Sequence, residues 1–298
     1  MNNSLLKSVV RSSYNLQKMR IQIGNRICAH FRVKLGQTPG EQQDELDRES
    51  LMLIQTLKEE FQRITDGIVR LSQKSIKFEN DGLITNLTEI YLIRAYFKQL
   101  EVEEEEFNSL KKVLLDYPIW NLYLKNVSGI GEKMGGVIIS SFDISKARYV
   151  SSLWRYAGLG VMPDGKGDSK RTEHLIDREY TYKDRETKKM ITKIKKSVVY
   201  NPWLKSKIVY GLGTSFLRQG PEKSIYAKMY YDYKNRLDNH VNWKDATKLH
   251  KHRAAIRYMV KRFLADLYVQ WRTIEGLEVI PSYEERMLGR TPHNGGIE

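Results

Sequence analysis

The stretch PIWNLYLKNVSGIGEKMGGVIISS, residues 118–141, decides how the chain is read. Ile119 to Lys125 predicts a short helix, Val127-Ser128-Gly129-Ile130-Gly131 a tight turn, and Glu132 to Ser140 a second helix. Two glycines in such a turn let the backbone reverse through positive φ and come close to a phosphate. The second helix then offers that anion its free N–H groups and the positive end of its dipole, and Lys133 adds a point charge. A Gly-x-Gly between helices is also the composition of an ordinary turn. Here apolar positions flank it on both sides and the chain downstream is basic, which favours a helix-hairpin-helix that holds a nucleic-acid backbone.

Downstream, Tyr149 to Leu159 predicts an amphipathic helix stopped at Gly158 or Gly160, followed by the glycine-rich loop PDGKGDSK, residues 163–170. Residues 174–199 alternate weakly around a polar turn at Lys183 to Thr187 and predict a basic β-hairpin. Asn201-Pro202 opens a helix carrying Leu204, Ile208, Leu212 and Phe216, closed by Gly220-Pro221. A tyrosine-rich helix spans about Glu222 to Asn239. The last helix, His250 to about Ile274, turns Ile256, Met259, Val260, Phe263, Leu267 and Trp271 inward and carries Arg253, Arg257 and Lys261 on its other face. That stripe reads either as phosphate contacts or as a solvated helix face.

Upstream, Ser50, Ile54, Leu57, Phe61, Ile64, Ile68 and Leu71 alternate by four and three, a heptad seam on a long helix. Ile90, Ile93, Phe97, Leu100, Phe107 and Leu114 give a second seam beside the run Glu103 to Glu106, and Glu79-Asn80-Asp81-Gly82 has the composition of the turn between them. Two helices so joined are too thin to bury both seams. They need a second copy, making a dimer, or the rest of the same chain in a bundle.

The charge follows these divisions. The 298 residues carry 50 Lys+Arg against 36 Asp+Glu, a net +14. Residues 1–35 hold +7 with no acid, residues 36–120 hold −7, and residues 121–298 hold +14. Basic surface on this scale favours a nucleic-acid partner through counterion release; a surface made basic for solubility is the plainer account. One cysteine, Cys28, excludes an internal disulfide and any Cys-based zinc cluster, and suits a reducing compartment. No apolar run approaches the roughly 18 residues that span a bilayer, and no secretory signal opens the sequence. A cytoplasmic protein without a membrane partner is expected.

The run VSGIGEKMGGVIISSFDISKARYVSSLWRYAGLG, residues 127–160, resembles the C-terminal transposase domain of the insertion-sequence one-ten family, relatives of the Piv-type DNA invertases. It keeps a Gly129-Ile130-Gly131 hairpin and a Tyr156-Ala157-Gly158-Leu159 helix end, while Ser141-Phe142-Asp143 only partly replaces the family's Gly-Asp pair. The resemblance implies a chain with a RuvC-like nuclease domain holding four metal-binding carboxylates, a coiled coil for dimer assembly, and a helix-hairpin-helix transposase domain. The nuclease part has no counterpart: the first 40 residues contain no Asp or Glu, and the other acids fall on polar helix faces rather than strand ends. Metal-dependent strand cleavage by this chain alone is therefore not expected. The resemblance also implies a serine nucleophile for strand exchange in the loop after the Ala-Gly-Leu end, where this sequence has Ser169. Lys166, Lys170 and Arg171 would hold the phosphate and Asp164 or Asp168 would act as base. A long hairpin follows this loop, unlike the family pattern, and a serine in a glycine-rich loop is more often a turn former.

The expected fold is mainly α: a basic arm over 1–40, a long coiled-coil-like helical hairpin for dimerisation over 41–117, a helix-hairpin-helix transposase-like domain with a small β-hairpin insertion over 118–286, and a tail over 287–298. The expected partners are DNA, double-stranded or branched and held by its phosphate backbone, structured RNA as the family's guide implies, and a second copy of the chain. Gly129, Ile130, Gly131, Lys133, Lys166, Lys170, Arg171, Arg253, Arg257 and Lys261 are the expected contacts. A role in transposition or recombination of a mobile element or phage follows; a non-catalytic structural or interaction protein derived from the same domain is the alternative. No cofactor and no metal are expected, since His250 and His252, two apart on a helix, diverge. Tyr226, Tyr230, Tyr231 and Tyr233 read as core and interhelical partners before base-stacking groups, and Gly165-Lys166-Gly167 lacks the full phosphate-loop pattern.

Overall fold

A computed structural model describes residues 3–67 and 82–281. The protein is mainly helical, with one small two-stranded antiparallel sheet. It divides into two compact units, Ser4–Lys112 and, with the first three residues, Val113–Glu298. The expected seam residues Ile68 and Leu71 and most of the expected turn, Glu79 to Asp81, lie outside the described residues, as does the tail.

In the first unit α1 (Ser4–Lys34), α2 (Arg48–Gly67) and α3 (Leu87–Leu114) share one core. Ile27, Cys28 and Phe31 of α1 meet Ile54 and Leu57 of α2 and Ile90, Ile93 and Tyr96 of α3. The basic segment read as an arm is thus a helix, and it packs on the two seams within the same chain. The seam on α3 also runs in a different register: Leu100 is exposed, while Tyr96, Glu103 and Leu110 are buried. Glu103 is held there by Arg20 at 2.6 Å. Glu89 is buried and accepts from Lys34 at 2.8 Å, from His30 at 2.9 Å and from the Thr85 N–H at 2.7 Å. Burial alone would raise its carboxyl; the bonds from Lys34 and His30 outweigh that and bring it down to about 2. The basic helix thereby neutralises the acidic pair. Ser4–Lys112 contains seventeen bases and sixteen acids, a net +1, and the chain from Val113 on has thirty-three bases against twenty acids, a net +13.

The second unit is organised by α10 (Lys248–Ile274), whose start is fixed by the Thr247 hydroxyl accepting from the His250 N–H at 3.2 Å. It packs against α4 (Pro118–Leu122), α6 (Val150–Tyr156), α8 (Gly213–Gln219) and α9 (Ile225–Asp238). The core rings of Phe216, Tyr226 and Phe263 lie 4.8–5.5 Å apart. The Tyr226 hydroxyl donates to Asp266 at 2.9 Å and meets Tyr123 at 3.1 Å. At the helix end, Arg272 is buried and donates to the carbonyls of Ile144, Ala147 and Glu278. Tyr226 and Tyr230 are core residues and Tyr233 stacks on Tyr258, as their helical spacing suggests; Tyr231 is exposed. His252 meets the Tyr230 hydroxyl and His250 packs on Trp243, so the two histidines do diverge.

Between α4 and α5 (Glu132–Ser141) the chain turns through Gly129, with φ 97°. Gly131, the residue before α5, has φ −92° and ψ 176°. One left-handed residue suffices for the reversal, so the expectation of two positive-φ glycines is corrected to one. α6 ends earlier than its apolar pattern, because Gly158 takes φ 69° and the Leu159 and Gly158 N–H groups bond back to the carbonyls of Trp154 and Arg155, at 2.8 and 3.1 Å. The ribbon β1 (Ile176–Lys183) and β2 (Met190–Ser197) follows. Then α7 (Pro202–Lys205), capped by Asn201 on the Leu204 N–H at 3.1 Å, runs through a π-helical stretch, Ser206–Leu212, into α8. Leu204, Ile208, Leu212 and Phe216 are all fully buried along this composite helix.

Candidate functional site around the Ser169 loop

Residues 160–174 form a compact loop whose geometry is set by its glycines and short polar side chains. Met162 and Lys166 close a small hairpin (N–H to carbonyl, 2.8 Å) around Gly165, which sits at φ 74°, and the Asp168 N–H returns to the Gly160 carbonyl at 3.2 Å. The chain then makes a single 3-10 turn, Thr172–His174, that carries His174 back beneath Ser169. His174 is only 3% exposed.

Three side chains five residues apart meet in that loop. Ser169 Oγ lies 2.8 Å from Nδ1 of His174, and Nε2 of His174 lies 3.0 Å from Oδ2 of Asp164. A carboxylate only accepts, so in the neutral ring Nε2 carries the hydrogen and Nδ1 is left to accept from the serine hydroxyl. The remaining bonds agree: the Arg171 N–H donates to Ser169 Oγ at 3.2 Å, and the Lys166 N–H donates to the second oxygen of Asp164 at 2.9 Å. The hydrogen bond from His174, with the Lys166 N–H, holds the Asp164 carboxyl below its usual range. The result is a hydroxyl, an imidazole and an ionised carboxylate in series, the arrangement that lets an alcohol be deprotonated as it attacks. Asp164, considered above as a base, reaches the serine through His174.

A cationic cluster borders the same loop. Lys205, the last residue of α7 before the π-helical stretch, donates to the Asp168 carbonyl at 2.6 Å and lies 4.2 Å from the centre of the Tyr200 ring. Arg257 of α10 donates to the Gly160 carbonyl at 3.3 Å and lies against Gly167, where a Cβ would collide with its guanidinium. Asp168 is 4% exposed, its Oδ2 lacks a hydrogen-bond partner, and a Cβ on Gly160 would stand 2.5 Å from that oxygen. Burial and then the like charge of Arg257 bring Lys205 down to about 8 against the pull of Asp168. Burial lowers Arg257 as well. Lys205 and Arg257 set two partly desolvated cations against the carboxylates of Asp168 and Asp164, so the excess positive charge of the loop comes from the exposed Lys166, Lys170 and Arg171.

Of the contacts expected from sequence, Arg257 belongs to this cluster, and Lys166, Lys170 and Arg171 are exposed on the loop that carries Ser169. Lys261 lies one turn from Arg257 and packs on the Trp154 ring at 5.2 Å, while Arg253 is exposed one turn the other way. Gly129, Ile130 and Gly131 form a separate turn, and Lys133 stands in the first turn of α5. Ile130 is buried, the Gly129 carbonyl accepts from Ser215 at 2.6 Å, and Gly131 is exposed with open space where a Cβ would stand. Ser128 and Gly129 contact Ser215, Phe216 and Gln219 of α8. Sequence reasoning missed His174 and Lys205. The even spacing of Asp164, Ser169 and His174 was visible, but no regular helix or strand makes a five-residue spacing meaningful, and Lys205 is one lysine among many.

Asp164, Glu173 and His174 also present ligand atoms within 4.8 Å of one another. Both nitrogens of His174 are already engaged by Ser169 and Asp164, so a cation there would have to displace one of them. Compared with protein-family models, with curated proteins and with solved structures, the chain matches none.

Proposed function

We propose that this chain binds nucleic acid in DNA recombination and that Ser169 is the nucleophile of a strand-transfer step. The observation that carries the proposal is the Ser169–His174–Asp164 series beside Lys205 and Arg257. In that step a bond forms between Ser169 Oγ and a backbone phosphorus as the bond from phosphorus to one bridging sugar oxygen breaks. The hydroxyl proton passes to Nδ1 of His174, Asp164 stabilises the resulting imidazolium, and the departing oxygen takes a proton from water. Lys205, Arg257 and the exposed Lys166, Lys170 and Arg171 supply positive charge to the pentavalent phosphate.

The charge division supports the same reading, since +13 of the net +14 lies in the unit that contains the loop. The Gly129–Gly131 turn ahead of α5 fits a helix-hairpin-helix that holds a second phosphate at Gly131 and Lys133 without reading bases, and Arg253 and Lys261 extend that contact along α10. A homodimer belongs to the proposal because exchange of two strands needs two nucleophiles. The seams of α2 and α3 do not themselves call for a second copy, because α1 covers them within the chain. Double-stranded or branched DNA is the proposed substrate and structured RNA the proposed accessory partner.

The test is incubation of the purified chain with branched DNA, with structured RNA added in parallel, followed by denaturing electrophoresis. A protein–DNA adduct that is lost in Ser169→Ala and strongly reduced in His174→Gln supports the proposal. Salt-dependent binding with no adduct under any condition supports the non-catalytic alternative, which one observation favours. The bonds from the Arg171 and Lys166 N–H groups are those by which serine and aspartate ordinarily shape turns.

A further inference from the structure

The ribbon β1–β2 is exposed along nearly its whole length on both faces, and a two-stranded ribbon in water is marginal by itself. Its register divides the side chains sharply. Arg178, Tyr180 and Tyr182 share one face with their cross-strand partners Lys195, Lys193 and Ile191. The other face carries Asp177, Glu179, Thr181 and Lys183 opposite Lys196, Ile194, Thr192 and Met190. All the aromatic residues and no acid are on the first face; both strand acids are on the second. The Tyr180 and Tyr182 rings stack at 5.8 Å with 22° between their planes, and the Lys193 ammonium lies 5.3 Å from the Tyr182 ring. Tyr180 is 44% exposed. The tip is fixed as well: Asp184 Oδ2 accepts from the N–H and hydroxyl of Thr187, at 2.9 and 2.5 Å, and Lys188 takes φ 56°.

We infer that the Arg178–Tyr180–Tyr182–Lys193–Lys195 face of the ribbon is a platform for an unpaired nucleic-acid strand. Bases stack on the tyrosine rings and the backbone phosphates run along the three cations. Aromatic faces interleaved with cations are what a single strand requires, because each base has a stacking face and each linkage a negative charge. A duplex hides its base faces and would meet only the cations. The inference rests on the nucleic-acid reading above but not on Ser169, Lys205 or Arg257.

The test uses the full chain and fluorescence anisotropy of a labelled thymidine oligonucleotide, with a duplex of equal length in parallel. Tyr180→Ala with Tyr182→Ala is expected to weaken single-strand binding about 30-fold or more and duplex binding much less. Tyr180→Phe with Tyr182→Phe, which keeps the stacking faces, is expected to restore it, separating lost stacking from a disturbed ribbon. Two charge-matched pairs test the face. Arg178→Glu with Lys195→Glu should weaken binding far more than Lys183→Glu with Lys196→Glu on the opposite side. Tyr180→Trp provides a direct signal, its fluorescence quenched on adding the oligonucleotide. Equal effects of the two charge pairs, or equal loss of duplex and single-strand binding in the alanine variant, would overturn the platform. Wild-type protein that binds neither oligonucleotide would overturn the nucleic-acid reading as well, whereas intact binding in Lys205→Ala with loss in the tyrosine variant would leave the platform standing alone.

Discussion

The two glycines of the turn before α5 are predicted to respond very unequally to the same substitution. Gly129 has φ 97°, and a Cβ there would lie 2.9 Å from Cδ1 of Phe216, a fully buried ring packed on Tyr226 and Phe263. A side chain in the left-handed region costs about 1–2 kcal/mol, and forcing the ring to move costs about 1–2 kcal/mol more. Gly129→Ala should therefore destabilise the second unit by about 2–4 kcal/mol, which for a unit of this size lowers Tm by about 5–15 °C. Gly131 has φ −92° and no protein atom near its Cβ position. Gly131→Ala should change stability by less than about 1 kcal/mol, because the reduced freedom of the unfolded chain is offset by alanine's poorer fit at the N-cap of α5. Urea and thermal unfolding followed by circular dichroism measure both. A Gly129→Ala protein as stable as wild type, or a Gly131→Ala protein that loses more than about 1 kcal/mol, would refute the reasoning. Because Gly131 needs no left-handed conformation and has open space at its Cβ position, Gly131→Val is a probe of function at a cost of about 1 kcal/mol for the N-cap: it should stay folded and bind DNA more weakly if a phosphate approaches that turn.

Three further outcomes follow from the ionised groups. Lys205, lowered from 10.5 to about 8, should make nucleic-acid affinity fall as pH rises through about 8. Over the window from about 8 to 10.5 the unfolded chain binds the extra proton, so this group's contribution to stability rises with pH while affinity falls, and Lys205→Met should flatten both profiles. Glu89 is lowered from 4.5 to about 2, so the stability it contributes is complete above about pH 4.5 and is lost as pH falls toward 2; Glu89→Gln should remove that part of the acid transition of the first unit in pH-dependent urea melts. Arg272→Met leaves three carbonyls without their donor, two of them in the buried 144–147 segment. It should cost about 3–5 kcal/mol by denaturant unfolding, and an unchanged midpoint would show that water replaces the guanidinium.

How much was legible follows the regularity of each element. Leu204, Ile208, Leu212 and Phe216 announce their helix because four-residue steps place them on one face, and the Asn201-Pro202 start is a local signal that needs nothing beyond its own turn. The ribbon is legible for the same reason, since its polar turn sits between two alternating runs. The N-terminal helix reads as an arm because its seven cations stand without a single acid, although more than half of its other residues are apolar. Its buried set Leu6, Val10, Ser13, Ile21, Gly24, Ile27, Cys28 and Phe31 mixes small and polar residues with the apolar ones, and Arg20, Arg32 and Lys34 meet acids on or beside α2 and α3. The register of α3 shifted toward Tyr96 and Glu103 because Arg20 neutralises a glutamate that a hydrophobic pattern assigns to solvent.

The sequence alone determined the helical class, the order of the elements from α4 onward, the unequal distribution of charge and the glycine turn before α5, all properties of neighbouring residues. The tertiary structure decided which charges remain unpaired and which polar groups meet. It folded a basic helix onto acidic ones, leaving a first unit of net +1. It brought Arg257 and Lys205 from separate helices to the Ser169 loop, and it placed His174 between Ser169 and Asp164. Such meetings depend on a loop conformation fixed by hydrogen bonds and by packing against distant helices, and no local periodicity encodes them.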